Sequence, residues 1–168
     1  MLESHPEWRT ARVSPPVMIL GRIGDVEVGF RQLKRTLPVE TQPFATPVGM
    51  LLVPTLDELL CMKAFLAYDR RVTRDFLDFA ALSERLTEQE VLGCLLKLDR
   101  RYGEMQTASV ALEVAKTLSA PEPCDLDESE LPAYKGLAPK WHQWDVTRTI
   151  CHRHGVLLGE ALMRGEGK

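Results

Sequence analysis

A segment in the first third of the chain alternates with period two. In residues 24–31, Val26, Val28 and Phe30 fall on one side, and Asp25, Glu27 and Arg31 on the other. Such alternation, with glycine at the preceding turn, predicts a β-hairpin with the apolar run 17–21. Residues 1–16 are polar and Pro-containing and predict irregular chain. Residues 38–47 hold three prolines and predict a loop, while the apolar run 48–53 predicts a third short strand.

From Thr55 the period becomes helical. Thr55-Leu-Asp-Glu58, directly after Pro54, is a capping-box pattern that opens a helix to about Tyr68. After the basic connection 69–72, a second helix starts at Thr73, carries Phe76, Phe79, Ala80 and Ser83 on one stripe, and ends near Leu86. Thr87-Glu-Gln-Glu90 is another capping box, leading into Val91, Leu95 and Leu98. Further helices are predicted over residues 105–118 and from Trp141 to Leu162. Between them, residues 120–133 combine three prolines with acids and no base, which predicts an exposed linker. The fold class is therefore α+β: a small antiparallel β element (residues 1–54), then about five helices (residues 55–168), packed as one domain.

A chain of 168 residues with 45% hydrophobic and 27% charged residues has the balance of an ordinary globular protein. Its net charge of −3 excludes a globally basic nucleic-acid coat. No apolar run is long enough to span a bilayer, and the N-terminus lacks a signal-like apolar stretch. Cys61, Cys94, Cys124 and Cys151 are widely spaced. These features predict a cytoplasmic chain with reduced thiols and no membrane segment.

One constellation invites chemistry. Lys63 follows Leu56, Leu59 and Leu60 at seven, four and three residues, so it lies in the apolar stripe of its helix. An ammonium there needs an anion or an opening. Asp75 and Asp78 share a face of the next helix, within reach of Lys63 across the short connection. Two readings follow. Either a Lys–Asp pair pins two helices, with Arg71–Asp75 and Arg74–Asp78 as surface pairs, or Lys63 and the arginines hold a triphosphate beside catalytic carboxylates.

The run from Val53 to Leu82, with Lys63 followed by Arg74-Asp75-x-x-Asp78, resembles the AbiEii/AbiGii-type nucleotidyltransferase toxin family of the polymerase-β-like superfamily. The resemblance implies transfer of a nucleotide from an NTP, with Mg²⁺, to an RNA or protein acceptor in a toxin–antitoxin or phage-defence setting. It assigns Lys63, Arg74 and Arg71 to the nucleotide, Asp75 and Asp78 to catalysis, and Glu27 to a third carboxylate. The family's leading Gly-Ser and Asp-x-Asp motif is not found in its place. The likeness is thus to the C-terminal part, and it implies a partner: an antitoxin or a separate N-terminal half. The alternative is a catalytically incomplete remnant that acts as a helical binding module.

Other signals read as structural. Asp125-Leu-Asp127 has the metal-binding form but sits in the acidic linker, as a solvated loop. Cys151-His152-Arg153-His154 and His142 lack the ligand geometry of a zinc site. Trp141 and Trp144 are three apart and predict core packing. Gly21-Arg-Ile-Gly24 is a turn rather than a phosphate loop.

Overall fold

Beside the Gly24-Asp25 turn, where Gly24 adopts φ +55°, strands β2 (Met18–Ile23) and β3 (Val26–Arg31) pair in antiparallel register, Ile23 opposite Val26. The computed structural model describes residues 5–15, 17–32, 35–103, 107–134 and 136–166. The chain divides into two units, residues 1–34 and 35–168. In the first, β1 (Trp8–Ser14) adds to β2 on the side opposite β3, giving the order β1-β2-β3 with an irregularity between Thr10 and Arg12. The prediction of irregular chain before residue 17 is thereby corrected. β1 has little alternation because most of it is exposed on both faces. What places it is Trp8, whose indole lies so close over Gly21 that a Cβ there would meet it at 2.5 Å. Only glycine leaves room for that ring.

In the second unit, β4 (Thr41–Thr46) and β5 (Gly49–Pro54) form a separate hairpin closed by Pro47-Val48. The predicted loop over 38–47 is thus largely a strand. Thr55 N donates to Glu40 O at 3.0 Å, and antiparallel pairs alternate from there, so Pro43 opposite Leu52 falls at a non-hydrogen-bonded position. Its missing N–H faces outward and costs the hairpin nothing. Phe44, Val48, Met50, Leu51 and Leu52 are all exposed on this hairpin.

The helices follow as α1 (Leu56–Arg70), α2 (Thr73–Ser83), α3 (Glu88–Leu95), α4 (Leu98–Tyr102), α5 (Val110–Ser119) and α6 (Trp144–Met163). The architecture is α+β, small antiparallel sheets followed by a helical bundle. The Thr87 capping box closes in full: Glu90 N donates to Thr87 Oγ1 and Thr87 N to Glu90 Oε2. Ser109 caps α5, so that helix starts later than predicted; residues 105 and 106 lie outside the described set. The core joins Leu60, Ala64, Phe76, Phe79, Leu95, Tyr102, Leu118 and Leu158. Phe65 stacks on Tyr102 at 4.1 Å, and Trp144 meets Phe76 edge-on at 6.0 Å. Trp141 and Trp144 are core residues, as their spacing predicts. At the α5–α6 crossing, Gly155 brings the backbones together: a Cβ would stand 2.3 Å from Ser119 N.

Candidate functional site

The α1–α2 corner is built by a backward turn at Arg71. This residue caps α1 in the left-handed region (φ 52°, ψ 35°) and is the one non-glycine residue with positive φ among those described. A left-handed residue other than glycine costs about 1–2 kcal/mol, which neighbouring contacts must offset. They come from a distant segment. Cys124 N donates to Arg71 O at 2.7 Å, and Asp125 Oδ1 accepts from both Thr73 N (2.6 Å) and Thr73 Oγ1 (2.8 Å). Val72, the residue before α2, has no side-chain cap, so Asp125 supplies from 52 residues away the acceptor that an N-cap normally provides. The 120–133 stretch is therefore no free linker. It is a strap across the corner, with Pro121 and Leu131 buried. Asp125 is correspondingly a capping group, while Asp127 bonds its own Ser129.

The corner gathers five charges. Lys63 Nζ lies 3.2 Å from Asp75 Oδ1 and 2.7 Å from Asp78 Oδ2. Arg70 Nη1 reaches Asp75 Oδ2 at 3.5 Å, and Arg74 Nε stands 3.9 Å from Asp78. Asp75 is buried and meets a cation on each oxygen; Arg74 is largely exposed. Beside the cluster opens a groove of about 780 Å³ lined by Arg70, Val72, Arg74, Leu77, Tyr134 and Leu137 among others. The sequence reading thus brings Lys63, Asp75, Asp78 and Arg74 together. Arg71 pairs with none of them; its role is the turn itself. Glu27 belongs to the first unit, on β3 opposite Arg22, and is exposed. An ammonium held between two carboxylates presents little positive field to a phosphate. The arrangement is one that pins two helices.

A second ionic group escaped the sequence reading. Glu58 is fully buried. Its carboxylate accepts from Arg35 Nη1 (2.6 Å), Arg35 Nη2 (3.2 Å) and Glu40 N (3.0 Å), with Arg101 Nε at 3.6 Å. Burial works against its charge, but Arg35, the Glu40 amide and Arg101 outweigh it and hold the acid below its ordinary 4.5. Glu58 therefore does not return a bond to Thr55; the α1 capping box is half made, Thr55 Oγ1 accepting from Glu58 N alone. Arg101 also reaches Glu40 Oε2 at 3.0 Å and donates to Cys61 Sγ at 2.8 Å. Desolvation pushes the Cys61 thiol up to about 11, so it is an inert buried group. The missed signal was Arg35 and Arg101, two arginines flanking an element whose N3 glutamate points inward.

His154 is buried edge-on to Phe79 at 5.9 Å, and desolvation, with Arg153 adding to it, lowers it to about 4. Cys151 is buried with its thiol raised by desolvation. All four cysteines are free, and no group of three or more His, Cys, Asp or Glu among the described residues could hold a metal ion.

Comparison with known proteins points elsewhere than to nucleotide transfer. The chain is 30% identical over 130 residues to the heme uptake protein MmpL11 of Mycobacterium tuberculosis (strain H37Rv), covering 76% of this chain and 13% of that protein. It is 32% identical over 121 residues to the mycolic acid-containing lipids exporter MmpL11 of Mycolicibacterium smegmatis, covering 70% of this chain and 12% of the relative. The probable transport protein MmpL11 of Mycobacterium bovis matches at 30% over 130 residues. The chain thus spans about an eighth of the length of these relatives. A contiguous match over 76% of 168 residues includes residues 41–128 wherever it is placed, and so contains Lys63, Asp75, Asp78 and Asp125. No family model matches the chain, and no solved structure does.

These matches overturn the expected AbiEii/AbiGii resemblance and the nucleotidyl-transfer, toxin–antitoxin function drawn from it. They give no better support to an incomplete remnant that binds a partner chain. The Mg²⁺ expectation rested on that resemblance alone. The physical reason for the false likeness is plain in the geometry. A lysine in an apolar stripe followed by Arg-Asp-x-x-Asp is also what a two-helix ionic corner requires.

Proposed function

We propose that this chain serves a transport process of the MmpL11 kind, as a water-facing element of the transport apparatus. The observation that carries this reading is the 30–32% identity to MmpL11 proteins over most of the chain, in a stretch that contains the whole α1–α2 corner. The surface of the second unit supports a water-facing place: Lys116–Glu113, Arg148–Asp145, Arg153–Glu88 and Arg164–Glu160 pairs stand exposed around its helices. Among the described residues no helix is long and apolar enough to cross a membrane. The Lys63–Asp75–Asp78 cluster then acts as a rigid joint that sets the angle between two helices, not as a reaction centre.

The test is a chimera. In Mycolicibacterium smegmatis lacking MmpL11, the transporter is returned with its matching segment replaced by this chain, and mycolic-acid-containing lipids are measured at the cell surface. Restored export supports the reading. A chimera present in the membrane at normal level that exports nothing refutes it.

A further inference from the structure

The hairpin of β4 and β5 stands out into solvent. From Thr41 to Leu52 every residue but Thr46 is exposed. No charged residue lies between Glu40 and Asp57. Directly opposed residues of a hairpin share a face. Phe44 and Leu51 form such a pair on one face; Ala45 with Met50, and Pro43 with Leu52, occupy the other. Both faces are open. Phe44 is 57% exposed and Leu51 55%, against 64% for Met50 and 76% for Leu52, and Val48 at the tip is 95% exposed.

A lone two-stranded hairpin is at best marginally stable in water. This one is anchored at its root. Glu40 N donates to the buried Glu58 carboxylate, Arg101 reaches Glu40 Oε2, and Thr55 N donates to Glu40 O. The buried ionic network thus holds out an uncharged apolar projection. A contiguous apolar surface of this kind marks a contact.

The two faces decide what fits. A protein surface packed on one face leaves the other in water. A lipid phase closes around both faces and the tip together. The edges agree with lipid. In the pairing fixed by Thr55 N and Glu40 O, the outward positions are Thr41, Pro43 and Ala45 on β4, and Met50, Leu52 and Pro54 on β5. Two of these are prolines, which have no N–H to leave unpaired. Pro43, midway along β4, also blocks addition of a strand on that edge. The outward donors that remain need water or headgroup oxygens, so the hairpin does not enter the hydrocarbon centre. Its six-residue strands rise only about 20 Å, short of the roughly 30 Å hydrocarbon core. The level that suits it is the boundary between headgroups and acyl chains.

We propose that the β4–β5 hairpin docks on a lipid bilayer, with Phe44, Val48, Met50, Leu51 and Leu52 inserted at that boundary. The contact is apolar and requires no anionic lipid. The proposal goes beyond the transport reading and stands on the hairpin alone.

The test is flotation of the full chain with phosphatidylcholine vesicles, which carry no net charge, at low and high salt. Binding at both is expected. The Val48→Asp, Leu52→Asp double variant should weaken partition by about tenfold or more, since two apolar side chains lose their burial. Both positions are exposed, so the variant should fold, which far-UV circular dichroism checks. Met163→Asp, 82% exposed at the end of α6, should change nothing. No flotation, or equal flotation by the folded double variant, overturns the proposal. So does binding confined to anionic phosphatidylglycerol vesicles and abolished by salt, which would place the contact on charged side chains. A dimer seen by light scattering and dissociated by the double variant, with vesicles left unbound, would put a second copy on the hairpin instead. Lipid export by a chimera whose chain does not float removes the hairpin contact alone. Flotation through the hairpin by a chain whose chimera exports nothing removes the transport reading alone.

Discussion

Replacing Glu58 by glutamine tests the buried ionic network at its centre. The side chain keeps its size, so no cavity confuses the result. What changes is that the carboxylate no longer faces Arg35 and Arg101, whose side chains are about as buried as its own. Removing one partner of a buried ion pair costs about 3–5 kcal/mol, since an uncompensated charge is left behind. Here the arginines keep other acceptors: Arg35 donates to Leu37 O and Pro38 O, and Arg101 holds Glu40 and Cys61. That places the cost near the lower end, about 3 kcal/mol. For a domain of this size it corresponds to a fall in Tm of about 10 °C. Thermal and urea unfolding followed by far-UV circular dichroism would measure it. Glu90→Gln, which alters an exposed capping-box glutamate and keeps a side-chain acceptor for Thr87 N, is the control and should leave Tm nearly unchanged. Acid adds a second readout. Glu58 titrates lower in the folded chain than its ordinary 4.5, so the stability it contributes is present above that value. It is lost as pH falls through the lowered native value, and the gap between wild type and Glu58→Gln should close there. A Glu58→Gln protein as stable as Glu90→Gln, at neutral pH and in acid alike, would refute the reasoning.

Three further outcomes are expected. His154 is lowered to about 4, so the folded state resists its protonation and stability should decline as pH falls from about 6.5 toward 4, by up to about 1.4 kcal/mol per unit; His154→Phe should flatten that part of the pH–stability curve measured in urea. Gly155→Ala drives a Cβ to 2.3 Å from backbone, so it should destabilise by about 2 kcal/mol or more in the same unfolding assay, and a neutral result would show the α5–α6 spacing to be wrong. Asp125→Ala removes the acceptor for Thr73 and should cost about 1 kcal/mol, with amide exchange rising first at the start of α2.

Local signals in the sequence reported local structure well. Thr55 and Thr87 mark helix starts because a cap is satisfied within three residues, and the Gly24 turn because a two-residue loop needs a positive φ. What stayed hidden depends on partners far along the chain. β1 is set by Trp8 over Gly21, β4 by the outward position of Pro43, and the strap by Asp125 reaching back to Thr73. At the candidate site, spacing put Lys63, Asp75 and Asp78 on facing surfaces correctly. Spacing could not say whether the lysine's anion is a ligand or a neighbouring helix, because both present the same face. The resemblance to nucleotidyltransferases failed at that step.

The strap has a consequence in time. Helix α2 is complete as a sequence at Ser83, yet the acceptor for its first amide arrives with Asp125, 52 residues after Thr73. At a synthesis rate of about 5–20 residues per second, that delay is roughly 3–10 s, during which the start of α2 has no cap on the ribosome. The corner around Lys63 therefore locks late, after α5 has been made, and a chain released before residue 125 would carry α1 and α2 without the tie that holds their angle.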